Sequence, residues 1–201
     1  MDPNLVDDPN LVVDEPNLVV DSLYPSDIKQ TLIGYALRSE WAEVIKIYEQ
    51  HSWTHTSVIA RYGDTALHAA VIDGNYDIVE QLVGAITRFG QENAMKALLK
   101  KNEGGNIPLH LAASMGCMQM CRCIVEVDIY GEDDISLLLC SRNNESETPL
   151  CLAALNSKKD AFLFLHTKYP NKRKSTIVEG KVVRLFFTVP LSENILNWQI
   201  T

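Results

Sequence analysis

Ile107-Pro108-Leu109-His110-Leu111-Ala112 is the stretch of sequence that decides the fold, because variants of it return three times in the chain. They begin at Thr65, with TALHAA, at Thr148, with TPLCLA, and at Thr31, with the degenerate form TLIGYA. In the three better copies a glycine or serine comes six residues after the histidine position, and an apolar pair begins four residues further on. A pattern that returns with its flanking residues predicts a stack of similar structural units.

Each position of the pattern has a physical role in a pair of helices. Threonine caps the first unpaired N–H groups of a helix, and proline in the first turn has no N–H to leave unpaired. Glycine adopts the left-handed backbone with which a helix ends and the chain reverses. Ile78, Val79 and Leu82 then follow the spacing of a second helix. The residues with predicted structural roles are Thr65, Leu67, His68, Gly74, Pro108, Leu109, His110, Gly116, Thr148, Pro149 and Leu150.

The repeated pattern resembles the signature of ankyrin repeats, a β-turn followed by two helices, from roughly Asp27 to His166. The resemblance implies an all-α solenoid that binds partner proteins along a concave face of turn tips and first helices. Transferring the family's contact positions to the matching residues gives the partner-binding candidates Arg61, Tyr62, Asp64, Ile72, Asp73, Glu103, Asn106, Ser114, Met115, Asn144, Glu145, Glu147 and Asn156.

The spacing of the copies predicts insertions. Aligned positions lie 34, 42 and 41 residues apart, whereas an ordinary ankyrin repeat has about 33 residues. We expect the extra residues in loops or lengthened second helices at Thr87–Lys101 and Asp128–Arg142. Within the first insertion, Gln91–Lys100 is predicted to form a short amphipathic helix.

The stretches Gly63–His68, Asn106–Gly116 and Glu147–Leu150, together with Trp41, also resemble one plant group. These are the plant ankyrin proteins linked to cell death, defence and salt stress, whose second half carries a PGG domain with several membrane spans. The resemblance implies a stress or defence signalling role, and a membrane tether at the cytoplasmic face for a full-length member. The membrane half is absent from this sequence, because the best candidate span, Val182–Leu191, is short and contains a charge and a proline.

Charge and composition divide the chain into residues 1–26, 27–166 and 167–201, with net charges of −6, −6 and +4. The first segment repeats Pro-Asn-Leu-Val three times without a basic residue, so we expect an acidic disordered tail, with a repeated docking motif as the alternative. The repeats are placed at about 27–60 (degenerate), 61–101, 103–142 and 144–166. The acidic body argues against nucleic-acid binding, and five cysteines without a signal sequence favour a cytoplasmic protein.

The last segment carries no copy of the pattern. It begins with the basic run Lys168–Lys174, read as a solvated linker or, alternatively, as a nuclear address. One hypothesis is that residues 185–201 are translated out of frame and that the intact product continues through another repeat towards a membrane half. The nucleotide sequence of this region tests it.

No constellation in the sequence predicts catalysis, a cofactor or a metal. His68 and His110 are expected to bond backbone groups of the turns, and the repeats place no nucleophile beside them. Cys117, Cys121 and Cys123 lack the paired spacing of zinc ligands, so we expect apolar packing. The sequence therefore predicts a non-catalytic protein-interaction module. The alternatives are a soluble fragment of a membrane-anchored ankyrin signalling protein and, from another class, a thiol or metal-dependent enzyme.

Overall fold

The computed structural model describes residues 25–128 and 130–168. Within them the chain forms ten α-helices and one 3-10 helix and contains no strand. The all-α prediction is therefore confirmed. The helices are α1 (Pro25–Leu37), α2 (Trp41–Gln50), the 3-10 helix (Ser52–Thr56), α3 (Ala66–Ile72), α4 (Tyr76–Thr87), α5 (Gln91–Leu98), α6 (Pro108–Met115), α7 (Met118–Val125), α8 (Glu132–Cys140), α9 (Pro149–Leu155) and α10 (Lys159–Lys168).

The helices form a stack of two main rows. The first helices α3, α6 and α9 pack side by side, and the second helices α2, α4, α7 and α10 form a parallel row. Each first helix packs on the second helix of its own unit. Between the rows runs a seam of fully buried residues, among them Leu67, Leu82, Leu109 and Ile124. Each unit of a solenoid contacts only its neighbours. The apolar side chains buried in this seam are therefore the main source of stability.

Left-handed residues join the two helices of each unit. Gly74 has a φ of 72° and Gly116 a φ of 83°, as the sequence predicted for these glycines. Ser39 and Ser157 take the same conformation with φ of 55° and 56°. Serine is strained there relative to glycine, because its Cβ approaches the backbone carbonyl oxygen.

The insertions form separate helices, which corrects the expectation of loops or longer second helices. The predicted helix in the first insertion is present as α5, and the second insertion forms α8. The 3-10 helix occupies the corresponding place after α2. Side chains link this third row: Asn93 Nδ2 donates to His55 Nδ1 over 2.8 Å, and Gln91 Nε2 donates to Asp134 Oδ2 over 2.5 Å.

The first unit differs from its sequence alignment by one residue. Helix α1 begins at Pro25, so the degenerate pattern from Thr31 lies inside the helix and does not start it. The left-handed Ser39 precedes Gly74 by 35 residues, which places Ile33, and not Gly34, at the histidine position. The apolar face of Ile28, Leu32 and Ala36, all buried, sets the orientation of α1. Packing of the apolar face therefore determines the register of α1, and the weak resemblance of TLIGYA to the repeated pattern does not.

Two expectations concern segments outside the described residues. The acidic tail of residues 1–26 reaches the described part only at Pro25 and Ser26, which belong to α1. The basic run and the out-of-frame hypothesis for residues 185–201 concern the part after Lys168, the last residue that the structure describes.

We expect Leu109→Ala to destabilise the stack by about 2 to 5 kcal/mol, because Leu109 is fully buried between neighbouring units. Arg61→Ala is the control and should cost less than about 0.5 kcal/mol, since Arg61 is exposed. Urea melts of both variants measure the difference. Equal destabilisation would show that the repeat register is wrong.

Candidate protein-interaction surface

The turns between units form a hydrogen-bonded series. The backbone N–H of Glu103 donates to the Tyr62 carbonyl over 2.9 Å, and that of Asn144 donates to the Gly104 carbonyl over 3.1 Å. The Asn144 side chain adds a bond to the Glu103 carbonyl at 2.7 Å. Each turn tip is thus fixed to the tip before it, and together the tips behave as one rigid edge.

Below the tips, asparagine side chains repeat the connection. Asn102 Nδ2 donates to Asp64 Oδ1 over 2.9 Å, and 41 residues later Asn143 Nδ2 donates to Asn106 Oδ1 over 3.1 Å. Asn102 and Asn143 each also accept backbone N–H groups of their own turn. These two residues are not among the predicted partner-binding residues. The sequence does contain a signal for their role, because an asparagine recurs four residues before both Asn106 and Glu147.

The two histidines of the repeated pattern also connect units. His68 Nε2 lies 3.0 Å from the Asn106 carbonyl, and His110 Nε2 lies 3.0 Å from the Glu147 carbonyl. The Nδ1 atoms accept the backbone N–H of Thr65 and of Ile107. Because Nδ1 accepts, the proton must be on Nε2, which donates to the next turn. This is the geometry that the sequence predicted for these rings.

Burial keeps both rings neutral. Desolvation lowers the pKa of His68, and it lowers the pKa of His110 from 6.5 to about 4, although bonds to backbone carbonyls oppose the shift. A ring that is buried, neutral and engaged at both nitrogens has no free position for acid or base catalysis. The histidines therefore have a structural role and connect neighbouring units by hydrogen bonds.

Two turn glycines allow the close approach of neighbouring tips. A Cβ on Gly63 would lie 3.0 Å from the backbone nitrogen of Glu103, and one on Gly105 would lie 2.6 Å from that of Asn144. Both glycines have a positive φ, of 76° and 73°. Ser146 takes the same conformation, with a φ of 63°, in the last described turn.

The predicted partner-binding residues divide into two groups. Asp64 is buried and accepts a hydrogen bond from the side chain of Asn102. Asn106 and Glu147 are half-buried, and both accept hydrogen bonds from the side chain of Asn143. Their side chains form hydrogen bonds between or within the turns, and their assignment as partner contacts stays a prediction. Ser114 is half-buried and donates to the Leu111 carbonyl. The exposed candidates are Arg61, Tyr62, Ile72, Asp73, Glu103, Met115, Asn144, Glu145 and Asn156.

An apolar row crosses the ends of the first helices. Helices α1, α3, α6 and α9 end at Leu37, Ile72, Met115 and Leu155, which are 72%, 51%, 40% and 40% exposed. We call these four residues the apolar row. Leu37 and Leu155 were not among the candidates, although Leu155 aligns with Ile72 in the repeated pattern. Large exposed apolar residues that recur in this way indicate an interaction surface.

The cysteines lie among apolar side chains. Cys121 is fully buried, and burial raises the pKa of the Cys121 and Cys123 thiols to about 12. Thiols with raised pKa are poor nucleophiles. In the described segments, no group of three or more His, Cys, Asp or Glu residues is placed to hold a metal ion.

Across residues 25–128 and 130–168, the helices are all too short or too polar to cross a membrane.

Gly105→Ala should destabilise the protein by about 1 to 3 kcal/mol or more, because the turn needs a left-handed residue and a Cβ would collide with the Asn144 backbone. Gly84→Ala is the matched control. Gly84 lies inside α4, where a Cβ meets nothing within 4 Å, so this change should stabilise the helix by about 0.5 to 1 kcal/mol. Thermal melts that show the same sign for both variants would contradict this account of the turns.

Acid should weaken the stack through His110. The ring stays neutral in the folded protein down to about pH 4, whereas its ordinary pKa is 6.5. Its contribution is therefore complete above pH 6.5 and is lost as the pH falls towards 4, by about 2 kcal/mol at pH 5.

Urea melts at pH 7.5 and pH 5 test this expectation, with His110→Gln as the comparison. The variant should be less stable at pH 7.5 by about 1 to 3 kcal/mol, since it disturbs a buried hydrogen bond, but it should lose less stability on acidification. An equal loss in both proteins would exclude His110 as the source of the pH dependence.

Comparison with known proteins agrees with this geometry. Residues 83–175 match the family model described as "Ankyrin repeats (3 copies)", and residues 62–88 match the model of a single ankyrin repeat. No curated protein matches the sequence.

Among solved structures, the chain is similar to a chain in the crystal structure of the yeast ribosomal protein Rps3 in complex with its chaperone Yar1. The TM-score is 0.58 at 19% identity, and the match covers 73% of this chain and 95% of that chain. A likeness at this identity concerns the fold alone. The chain thus contains ankyrin repeats, and its described part folds as an ankyrin-repeat solenoid.

Proposed function

We propose that this protein is a non-catalytic scaffold that binds a partner protein through the apolar row and the turn tips beside it. The observation that carries this proposal is the row itself, because all four first helices end in a large apolar residue that is at least 40% exposed. An exposed leucine, isoleucine or methionine does not stabilise a helix that ends in water. Exposed apolar residues at the ends of successive first helices have a use if a partner covers them.

The rigid turns support the same role. The tips are joined by backbone bonds, by the asparagine side chains and by the two histidines. A surface fixed before binding loses little conformational entropy when a partner arrives. Tyr62, which is 68% exposed on a fixed tip, provides an aromatic anchor of the kind that often dominates binding energy.

The chemistry of the described residues supports binding and not turnover. The histidines are neutral and bonded at both nitrogens, and burial raises the pKa of the Cys121 and Cys123 thiols. We therefore propose no cofactor, metal or catalytic residue.

The biological setting rests on resemblance. The likeness to plant ankyrin proteins of cell death, defence and salt stress leads us to propose a role in stress or defence signalling. The protein would act in the cytoplasm, or at the cytoplasmic face of a membrane if the natural product continues into a membrane half.

Affinity capture with the full chain tests the proposal. Partners retained by the wild type should bind Ile72→Lys about tenfold or more weakly, because a charge replaces an apolar contact in the interface. Leu137→Lys is the matched control, since Leu137 is an apolar residue of α8 that is 54% exposed and lies outside the row. Circular dichroism should show that both variants keep their helices.

The result that contradicts the proposal is a partner that binds Ile72→Lys as tightly as the wild type but loses affinity for Leu137→Lys. Binding would then involve the third row of helices and not the apolar row.

A further inference from the structure

A groove of about 480 Å³ lies between the second helices α4 and α7. Tyr76, Glu80 and Gly84 follow one another at intervals of one helical turn and line its α4 side. Cys123 of α7 and Val127, two residues after its end, line the other side. The volume lies in the range of ligand sites, about 300 to 1,000 Å³. The two helices therefore leave a space that a ligand group can enter.

Gly84 keeps this groove open. A Cβ built on Gly84 meets no atom within 4 Å, so the packing of α4 against α7 does not require a glycine here. Inside a helix, glycine is also less stable than alanine. Because Gly84 lines the groove, a larger residue would fill part of it. The missing side chain has a use at this position if a ligand occupies the space.

The carboxylate of Glu80 is placed to receive a positively charged donor. It accepts a hydrogen bond from the Tyr76 hydroxyl over 2.9 Å, and a carboxylate has further acceptor positions. It also lies near the Cys123 thiol, because burial and, second, the charge of Glu80 raise the pKa of that thiol to about 12. Among the described residues, no ion pair involves Glu80 or Asp128, which also lines the groove.

The arginine that lines the groove is used elsewhere. The guanidinium carbon of Arg122 lies 5.6 Å from the centroid of the Phe164 ring in α10, and its Nε lies 3.5 Å from Glu126 Oε2. Lys168 pairs with the same glutamate. These contacts balance the basic groups on the α10 side and leave the charge of Glu80 without a cation.

We propose that this groove binds an arginine side chain of a partner protein, with the guanidinium group on Glu80 and the aliphatic stem between Gly84 and Val127. Arginine packs its stem on apolar surface, and its planar cation binds a carboxylate through two parallel hydrogen bonds. It also stacks on aromatic rings such as that of Tyr76, whereas the lysine ammonium is a compact and more strongly hydrated charge.

The inference goes beyond the proposed function and does not rest on it. The groove lies between second helices, whereas the apolar row lies at the ends of the first helices.

A display library of random 12-residue peptides tests this inference, with the full-length wild-type chain as bait and Gly84→Leu for counter-selection. Leucine should fill the groove without lowering the melting temperature, since the space is open. Enriched peptides should carry arginine. A synthetic copy should bind Glu80→Gln about tenfold or more weakly, and replacing its arginine by the uncharged citrulline should have the same effect.

Asp77→Asn is the matched control, because Asp77 is an exposed acid of the same helix that does not line the groove. It should change the affinity by less than about twofold, since screening weakens charges that touch no ligand. Glu80→Gln keeps the shape of the side chain, so it decides the matter even if Gly84→Leu disturbs the fold.

Other outcomes overturn the inference. Enriched peptides without arginine, or an affinity that Glu80→Gln leaves unchanged, would exclude the groove as an arginine site. Peptides that bind Glu80→Gln normally but lose affinity for Ile72→Lys would place binding on the apolar row, so the two proposals fail separately. Failure of any peptide to enrich would also overturn the inference.

Discussion

The hydrogen bond from a buried histidine to the backbone of the next turn is the constraint on which the stack depends. His68 and His110 each satisfy an N–H of their own unit with one nitrogen and a carbonyl of the following unit with the other. A buried carbonyl without a partner is costly, so each unit needs its neighbour as a source of donors. The apolar seam drives association, and the histidines fix the register in which it occurs.

For function, the consequence is that some polar residues of the turns align neighbouring units, whereas others remain exposed for binding. Asp64, Asn106 and Glu147 lie at the level where the histidine bonds are made, and their side chains are used to align neighbouring turns. Tyr62, Glu103 and Glu145 lie further out on the tips and remain exposed. A binding surface can vary in its outer residues while the inner ones keep the tips in place. The same separation explains why a recognition surface can be rigid although it is formed by turns.

Sequence reasoning predicted the parts of the fold that local chemistry decides. Proline and threonine at helix starts, glycine at helix ends and the paired apolar positions were sufficient to place α3, α6 and α9, and the amphipathic pattern of Gln91–Lys100 predicted α5. Sequence reasoning failed for the features that tertiary packing determines. The register of α1 follows from the buried Ile28, Leu32 and Ala36, and the side-chain bonds of Asp64 and Asn106 join residues 37 or 38 positions apart. The repeat spacing and the recurring asparagines can be read from the sequence, but the pairing of these side chains is set by how the turns pack. Leu155 is a different case, since alignment with Ile72 would have identified it.

Glycine occupies the two turn positions against which a neighbouring tip packs most closely. At Gly63 and Gly105 the backbone of the next tip occupies the space of a Cβ, and glycine is the residue that leaves this space empty. At Ser146 a side chain fills the equivalent place. A tip stacked on Ser146 in the same manner would bring its backbone onto the serine Cβ, so it would have to lie further out than the tips that pack on Gly63 and Gly105. The residue at this position thus sets how closely the next tip can approach.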